Sequence, residues 1–332
     1  MEAVRRAAAS ASLRGRRLGL KRATAAGTMA PTPVRHPRQV RDLGRAIERW
    51  GEAGGERSRR PDLPWRATRD PWAVLVSEVM TQQTQVSRVV PAYRRFLTEF
   101  PTPAACASAS VGDVLRAWRG LGYNRRATSL HRAAGAIVHD HGGRVPVDLA
   151  SLLTLPGVGA YTARAVRAFA FGADVGVVDT NAGRVLSRAV VGRPVRFREA
   201  QELVDAMVPV GHGWQFGQAL LDLGALVCLS TAPRCHQCPL RRRCRWARAG
   251  RPPPDPARGS AGVSVAASRF DGSDRQGRGR LVDALRHGPV GSGGLAAAAG
   301  WPDDPRRARR IAGALVAEGM AVRGSDGTIR LP

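Results

Sequence analysis

The sequence predicts an all-α protein, and three observations carry that prediction. From about residue 40 to residue 250, apolar side chains recur at three- and four-residue steps. Short Pro/Gly breaks separate the runs, and strand-like alternation is nearly absent. In order, the helical runs are RDLGRAIERW (41–50), WAVLVSEVM (72–80), VVPAYRRFLTEF (89–100), VGDVLRAW (111–118) and RRATSLHRAAGAIVHDHG (125–142). They continue with DLASLLTL (148–155), AYTARAVRAFAFG (160–172), NAGRVLSRAVVG (181–192) and WQFGQALLDLGALVC (214–228). Residues 248–272 are rich in Pro, Gly, Ser and Ala and are expected to be a linker. Beyond them, residues 273–332 give three helical runs and then AVRGSDGTIRL, which alternates around Ser-Asp-Gly like a hairpin. Three helices and a hairpin predict a small winged-helix-like module. Its third helix carries Arg306, Arg307, Arg309 and Arg310, suited either to a nucleic-acid groove or to a solvated face.

The 332 residues allow two domains, and a hydrophobic fraction of 43% can build ordinary cores. No apolar run reaches the roughly 18 residues of a membrane span. With 52 Lys and Arg against 26 Asp and Glu, the net charge is +26. That field favours a polyanion, most simply nucleic acid, although ribosomal, membrane-surface and compositionally biased proteins share it. Residues 1–35 lack both apolar periodicity and the apolar core of a secretory signal. They are expected to be a disordered basic arm, unless translation starts at Met29. In a cytoplasmic, reducing setting the five cysteines favour metal binding over disulfides.

Leu155-Pro156-Gly157-Val158-Gly159 joins two helical runs. Its glycines permit a tight turn, and the amides at the start of the second helix suit a DNA phosphate. A plain Gly-rich turn is the simpler alternative. Glu78 sits inside the apolar run VLVSEVM. Burial there would raise its pKa, as a general acid near neutrality requires, whereas an exposed helix face would leave it ordinary. Asp179 ends VGVV and precedes a helical run, the position of an N-cap. Hydrogen bonds at a helix start would keep it ionised, so the two carboxyl groups are expected to have their pKa values pushed apart. Cys228, Cys235, Cys238 and Cys244 have the spacing C-x6-C-x2-C-x5-C. Zinc and an iron–sulfur cluster both suit cysteine ligands. Cys106 stands outside the set and is expected to be a buried thiol.

Six stretches together resemble the adenine DNA glycosylases within the helix-hairpin-helix superfamily. They are DLPWR (62–66), SEVMTQQTQV (77–86), GLGYNRRA (120–127), LPGVGAYTA (155–163), VVDTN (177–181) and DLGALVCLSTAPRCHQCPLRRRC (222–244). The resemblance implies a two-lobed architecture. Residues 68–176 would form a six-helix barrel with the hairpin, and residues 36–67 plus 177–247 a lobe bearing a [4Fe–4S] cluster on the four cysteines. That loop would present Arg234, Arg241, Arg242 and Arg243 to phosphates. The resemblance also implies that Glu78 protonates the base, that Asp179 stabilises the sugar cation, and that Tyr161 and Asn181 orient the pair. Gln82 and Gln83 would act at the strand. Tyr123 is similar to an aromatic wedge, with a core tyrosine as the alternative. Trp65 is similar to a base-pocket tryptophan, with ordinary core packing as the alternative. Gly157, Val158 and Gly159 would form the DNA-binding hairpin.

Three departures stand out. Ala160 and Tyr161 follow the hairpin, where bifunctional relatives similar to endonuclease III carry a nucleophilic lysine; the one lysine here is Lys21. This implies a monofunctional glycosylase that leaves the strand intact. Thr81 and Thr180 stand where leucine and glycine are usual. The tail does not resemble the Nudix-like domain typical of the family. The expected protein is a monomeric, cytoplasmic, nucleoid-associated enzyme of base excision repair, acting on double-stranded DNA to remove adenine opposite 8-oxoguanine or guanine. The alternatives are a uracil/thymine mismatch glycosylase, suggested by HGGRVP and GVGAYT, and a non-catalytic DNA-binding regulator.

Overall fold

The computed structural model describes residues 37–54, 62–261 and 269–332. The predicted basic arm lies outside the described residues, as do residues 262–268 of the predicted linker. The chain is all-α, as its periodicity predicts. The helices are α1 (Pro37–Ala53), α2 (Pro71–Thr81), α3 (Val86–Glu99), α4 (Pro103–Ser108), α5 (Val111–Ala117), α6 (Arg125–Asp140), α7 (Leu149–Thr154) and α8 (Ala160–Phe169). Then come α9 (Thr180–Val185), α10 (Phe197–Met207), α11 (Gly213–Asp222), α12 (Arg245–Arg248), α13 (Asp274–His287), α14 (Leu295–Ala299) and α15 (Pro305–Ala317). Helices α9 and α11 each run on as a π-helical turn, Leu186–Val191 and Leu223–Val227. The strands are β1 (Val322–Arg323) and β2 (Ile329–Arg330), an antiparallel pair, with Val290 bridging Ile329 on the other side. Among the described residues no helix is long and apolar enough to cross a membrane.

Two apolar cores organise these helices. One is built from α2 to α8 around Phe96, Leu115, Trp118 and Ile137. The other gathers Val40, Leu43 and Ile47 of α1 with α9 to α11, Leu240 and Cys244. One passage between them falls at a single peptide bond: Val177 belongs to the first core and Val178 to the second. Asp179 is the next residue. The seam between the cores is therefore where the chain delivers a carboxylate.

The last sixty residues do not form a core of their own. Leu281, Leu285, Ile311, Leu315 and Ile329 join the first core. Arg286 donates to Leu115 O (2.9 Å) and Asn124 Oδ1 (3.1 Å), and Arg125 pairs with Glu318 at 3.0 Å. The predicted three helices and hairpin are present, but docked as part of the first lobe. The predicted groove-binding arginines are partly committed elsewhere. Arg307 and Arg310 both pair with Asp274 at 2.7 Å, and Arg307 stacks on Trp301. The start of the predicted linker is packed as well. Ala257, Ser260 and Ala261 are buried, Ala261 N donates to Val195 O (2.8 Å), and Asp255 pairs with the buried Arg188. Pro and Gly content signals irregular backbone there, not a free tether.

Candidate active site

Helix α2 is apolar on every side, and Trp72 to Met80 are all buried. Asp70 caps it by accepting from Ala73 N at 2.6 Å, and Pro71 opens it. Such a helix belongs inside a protein, so Glu78 goes inside with it. The mid-helix backbone amides are already used, so no main-chain donor is left for the carboxylate. It receives one hydrogen bond, from the Tyr161 hydroxyl, and its Oε2 is buried without a partner. Burial pushes its pKa up to about 7; the Tyr161 bond pulls against that, Asp179 adds to it, and Arg66 opposes it. Burial also raises the Tyr161 hydroxyl, which stays protonated and able to donate.

Asp179 reaches the same place by the opposite route. It is the N-cap of α9, with Oδ1 accepting from Ala182 N (2.7 Å) and Oδ2 from Asn181 Nδ2 (2.8 Å). Asn181 Oδ1 in turn accepts from Arg184 (2.7 Å), which also donates to Gly224 O (2.7 Å) and Cys228 O (2.6 Å). Gly224 allows this close approach, since a Cβ there would stand 2.5 Å from Asn181 Cβ. The sequence predicts opposite shifts for the two carboxyl groups, but both move up. Burial raises Asp179 too, against the bonds from Ala182 and Asn181 and the charge of Arg184. What separates the pair is the number of donors each receives.

One cleft at the seam is lined by Glu78, Tyr161, Asp179, Asn181, Trp65, Gln82, Gln83 and Tyr123. Trp65 is held edge-on to Tyr93, with ring centroids 5.4 Å apart. Gln82 donates to Thr162 Oγ1 (3.1 Å), while Gln83 is exposed. Tyr123 is 47% exposed and is not a core tyrosine. The hairpin lies beside this cleft, where Pro156, Gly157 and Val158 line a smaller recess with Gln82 and Arg126. Gly157 has φ +80° and a Cβ there would strike Ser129, so only glycine fits. Gly159 is the N-cap of α8, and a Cβ on it would meet open space. The Val158 side chain is buried in the first core, so its part in the hairpin is its backbone.

Several residues lining the cleft or standing behind it escaped sequence reasoning. Arg66 makes a two-pronged bond to the buried Asp222, 2.6 and 2.8 Å, across the seam. Arg126, Arg184 and Gly224 were also missed. All sit inside the quoted motifs or one turn from them, but a charge pattern does not show which acceptors an arginine will meet. The end of the C-terminal segment also enters the cleft. Phe270, Arg275, Arg278 and Glu318 line it, and Arg275 lies 3.5 Å from the Tyr123 hydroxyl.

The four cysteines line one small, largely apolar recess with Leu223, Val227, Leu240 and Trp246. No three of their sulfurs lie within 4.8 Å of one another. One tetrahedral zinc ion would need sulfurs about 3.8 Å apart. The spacing and the apolar lining fit a larger group held by four thiolates. Arg188 donates to Cys228 Sγ and Ala247 N to Cys244 Sγ, both at 3.5 Å, as ligand-supporting donors do. Arg234, Arg241, Arg242 and Arg243 are exposed on this loop. Cys106 is buried, which pushes its thiol up to about 12.

Residues 76–204 match the HhH-GPD superfamily of base excision DNA repair proteins. The chain is 45% identical over 287 residues to the adenine DNA glycosylase of Mycobacterium tuberculosis, covering 83% of this chain and 90% of that one. It is 43% identical over 278 residues to that of Mycolicibacterium smegmatis, covering 82% and 92%. Among solved structures it is similar to a thermostable thymine-DNA glycosylase, with TM-score 0.57, 28% identity, and 64% and 98% of the two chains covered. It shares the fold of endonuclease III bound to DNA, with TM-score 0.54, 22% identity, and 65% and 98% covered. Likeness over nine-tenths of such relatives, joined to a cleft that holds Glu78 and Asp179 together, places this chain in the adenine DNA glycosylase family, as a hydrolytic DNA N-glycosylase of the helix-hairpin-helix superfamily.

Proposed function

We propose that this enzyme removes adenine paired with 8-oxoguanine or guanine in double-stranded DNA, leaving the strand intact. The observation that carries the reading is the pair of unlike carboxyl groups on one cleft, Glu78 and Asp179. With a pKa of about 7, Glu78 holds a proton near neutrality and gives it to the departing adenine. Asp179, held by Ala182 and Asn181, faces the cationic sugar left behind, and water then adds to that sugar. Tyr161 and Asn181 hold the two carboxyl groups in place. The base must leave the stack to reach them; Trp65 lines the pocket it enters, and Gln82, Gln83 and Tyr123 act at the strand. The backbone of Gly157, Val158 and Gly159 takes a phosphate at the start of α8.

Ala160 and Tyr161 offer no amine, which supports a monofunctional reaction without a Schiff base. Cys228, Cys235, Cys238 and Cys244 would hold a [4Fe–4S] cluster, a fold-stabilising clip that sets the exposed arginines of the loop toward phosphates. The enzyme works as a monomer at the nucleoid. Single-turnover excision on duplexes with A opposite 8-oxoguanine, A opposite G, T opposite G and U opposite G tests the reading, which requires cleavage of the first two. The likeness to a thymine-DNA glycosylase favours a second reading, and cleavage confined to T and U would establish it. Binding without any cleavage would favour the regulatory class. Bound iron with broad visible absorbance, lost in Cys238→Ser, tests the cluster.

A further inference from the structure

Among the described residues, three other than glycine have a left-handed φ: Gln83 (53°), Tyr123 (46°) and Arg251 (60°). Gln83 and Tyr123 both line the cleft, and both side chains are exposed. A strained backbone persists only where its surroundings over-determine it. Here one guanidinium reaches both turns, sharing Gly122 O with Trp118 Nε1, which donates to it at 3.1 Å. Arg126 Nη1 donates to Val79 O (2.8 Å), Met80 O (2.8 Å) and Gln82 O (2.6 Å). Its Nη2 donates to Thr84 Oγ1 (2.9 Å), Leu121 O (3.2 Å) and Gly122 O (3.2 Å). Gln82 O and Gly122 O are the carbonyls immediately before the two strained residues. Holding each carbonyl fixes the peptide plane about which that residue's φ turns.

Among the described residues Arg126 donates to carbonyls and one hydroxyl and to no carboxylate. Its charge rests on the free carbonyls at the C-terminus of α2, where a cation is favoured, and its face lies over the Trp118 and Tyr123 rings. Burial lowers its pKa to about 10, so it stays charged at neutral pH. A planar fork satisfies two turns at once; an ammonium on a flexible stem does not. We propose that Arg126 is a positioning residue for base extrusion, a strut that presets the Gln83 and Tyr123 turns as one paired wedge. This rests on the reading above, in which those side chains act at the strand. The turns are already shaped before DNA arrives, so their ordering cost is not charged to binding.

The test compares Arg126→Lys and Arg126→Ala with the wild type in single-turnover excision of adenine from two substrates. In one, adenine is paired opposite 8-oxoguanine; in the other, the same adenine is unpaired in single-stranded DNA and needs no extrusion. The strut predicts a loss of about 10- to 100-fold on the duplex and less than about threefold on the unpaired substrate. Equal losses on both would overturn it, since they would mean Arg126 only supports α2 and Glu78. Unchanged rates on both would overturn it too. Should Arg126→Ala fail to fold, Arg126→Lys alone decides. Fluorescence of 2-aminopurine in duplex DNA, read in Glu78→Gln protein with and without Arg126→Lys, reports extrusion without cleavage. Equal fluorescence in the two proteins overturns the strut even if the wild type proves not to excise adenine, an outcome that sinks the proposed substrate instead.

Discussion

Glu78 and Asp179 bring the same chemical group to one cleft from opposite kinds of backbone. Glu78 stands in the middle of a helix, where every nearby amide is spent, and Tyr161 is its one donor. Asp179 stands at a helix start, where amides are free, and it collects Ala182, Asn181 and the field of Arg184. Burial raises both, and Asp179 has the larger set of donors opposing it. Position along a helix thus decides how many donors each carboxyl collects, ahead of any difference between Asp and Glu.

The comparison breaks most sharply at the acid. Glu78→Gln keeps the shape and removes the proton, so single-turnover excision should fall by about a thousandfold or more while duplex affinity stays within about twofold. A variant that still cleaves would remove Glu78 from the chemistry. Asp179→Asn should lower the rate by about a hundredfold or more. An asparagine still caps α9, so its melting temperature should stay close to wild type. Asp179→Ala would lose the cap as well, costing roughly 1 kcal/mol. A large loss of stability in the Asn variant would mean that Asp179 is chiefly structural.

The pH dependence sharpens the contrast next. With Glu78 at about 7, excision should fall toward tenfold per unit as pH climbs beyond that value. Stability carries the same signature. The folded-state pKa lies above the usual 4.5, so the folded protein holds this proton more tightly than the unfolded chain. That stabilising contribution is complete below about 4.5 and is lost as pH rises through about 7. Glu78→Gln does not titrate, so denaturant unfolding should find it equal to wild type at low pH and more stable by roughly 3 kcal/mol at alkaline pH. A gap that does not grow with pH would show Glu78 to be less buried than it is here. The smallest effect belongs to Asn181→Ala, expected to slow excision about tenfold through Asp179, with KM barely moved. No change would mean that Ala182 alone holds the carboxylate.

Much of this was legible in the chain. The apolar run around Glu78 signalled an acid inside a helix, and VVDTN signalled a cap. C-x6-C-x2-C-x5-C set out four cysteines that the structure brings to one recess, and the Pro-Gly-Val-Gly turn is where the structure has one. Other features were not legible. Arg126, Arg184 and Arg66 each find an acceptor on a segment 40 or more residues away, Gln82 O, Gly224 O and Asp222, and the first two join these to local ones. In a chain with 52 basic residues, nothing local marks the three that are buried or half-buried in service of the cleft. Pro and Gly content also misled over residues 255–261, because irregular backbone can still bury side chains, as Ala257, Ser260 and Ala261 do.

The sequence by itself determined the helices, the turn glycines and the kinds of group carried at positions 78, 179 and the four cysteines. These depend on neighbours three or four residues away, within reach of local propensity and pattern. The tertiary structure alone decided that Glu78 is raised to about 7, that Asp179 is raised as well, and that one guanidinium spans the Gln83 and Tyr123 turns. Desolvation and long-range hydrogen bonds depend on what closes over a residue, and that is settled only when distant segments meet.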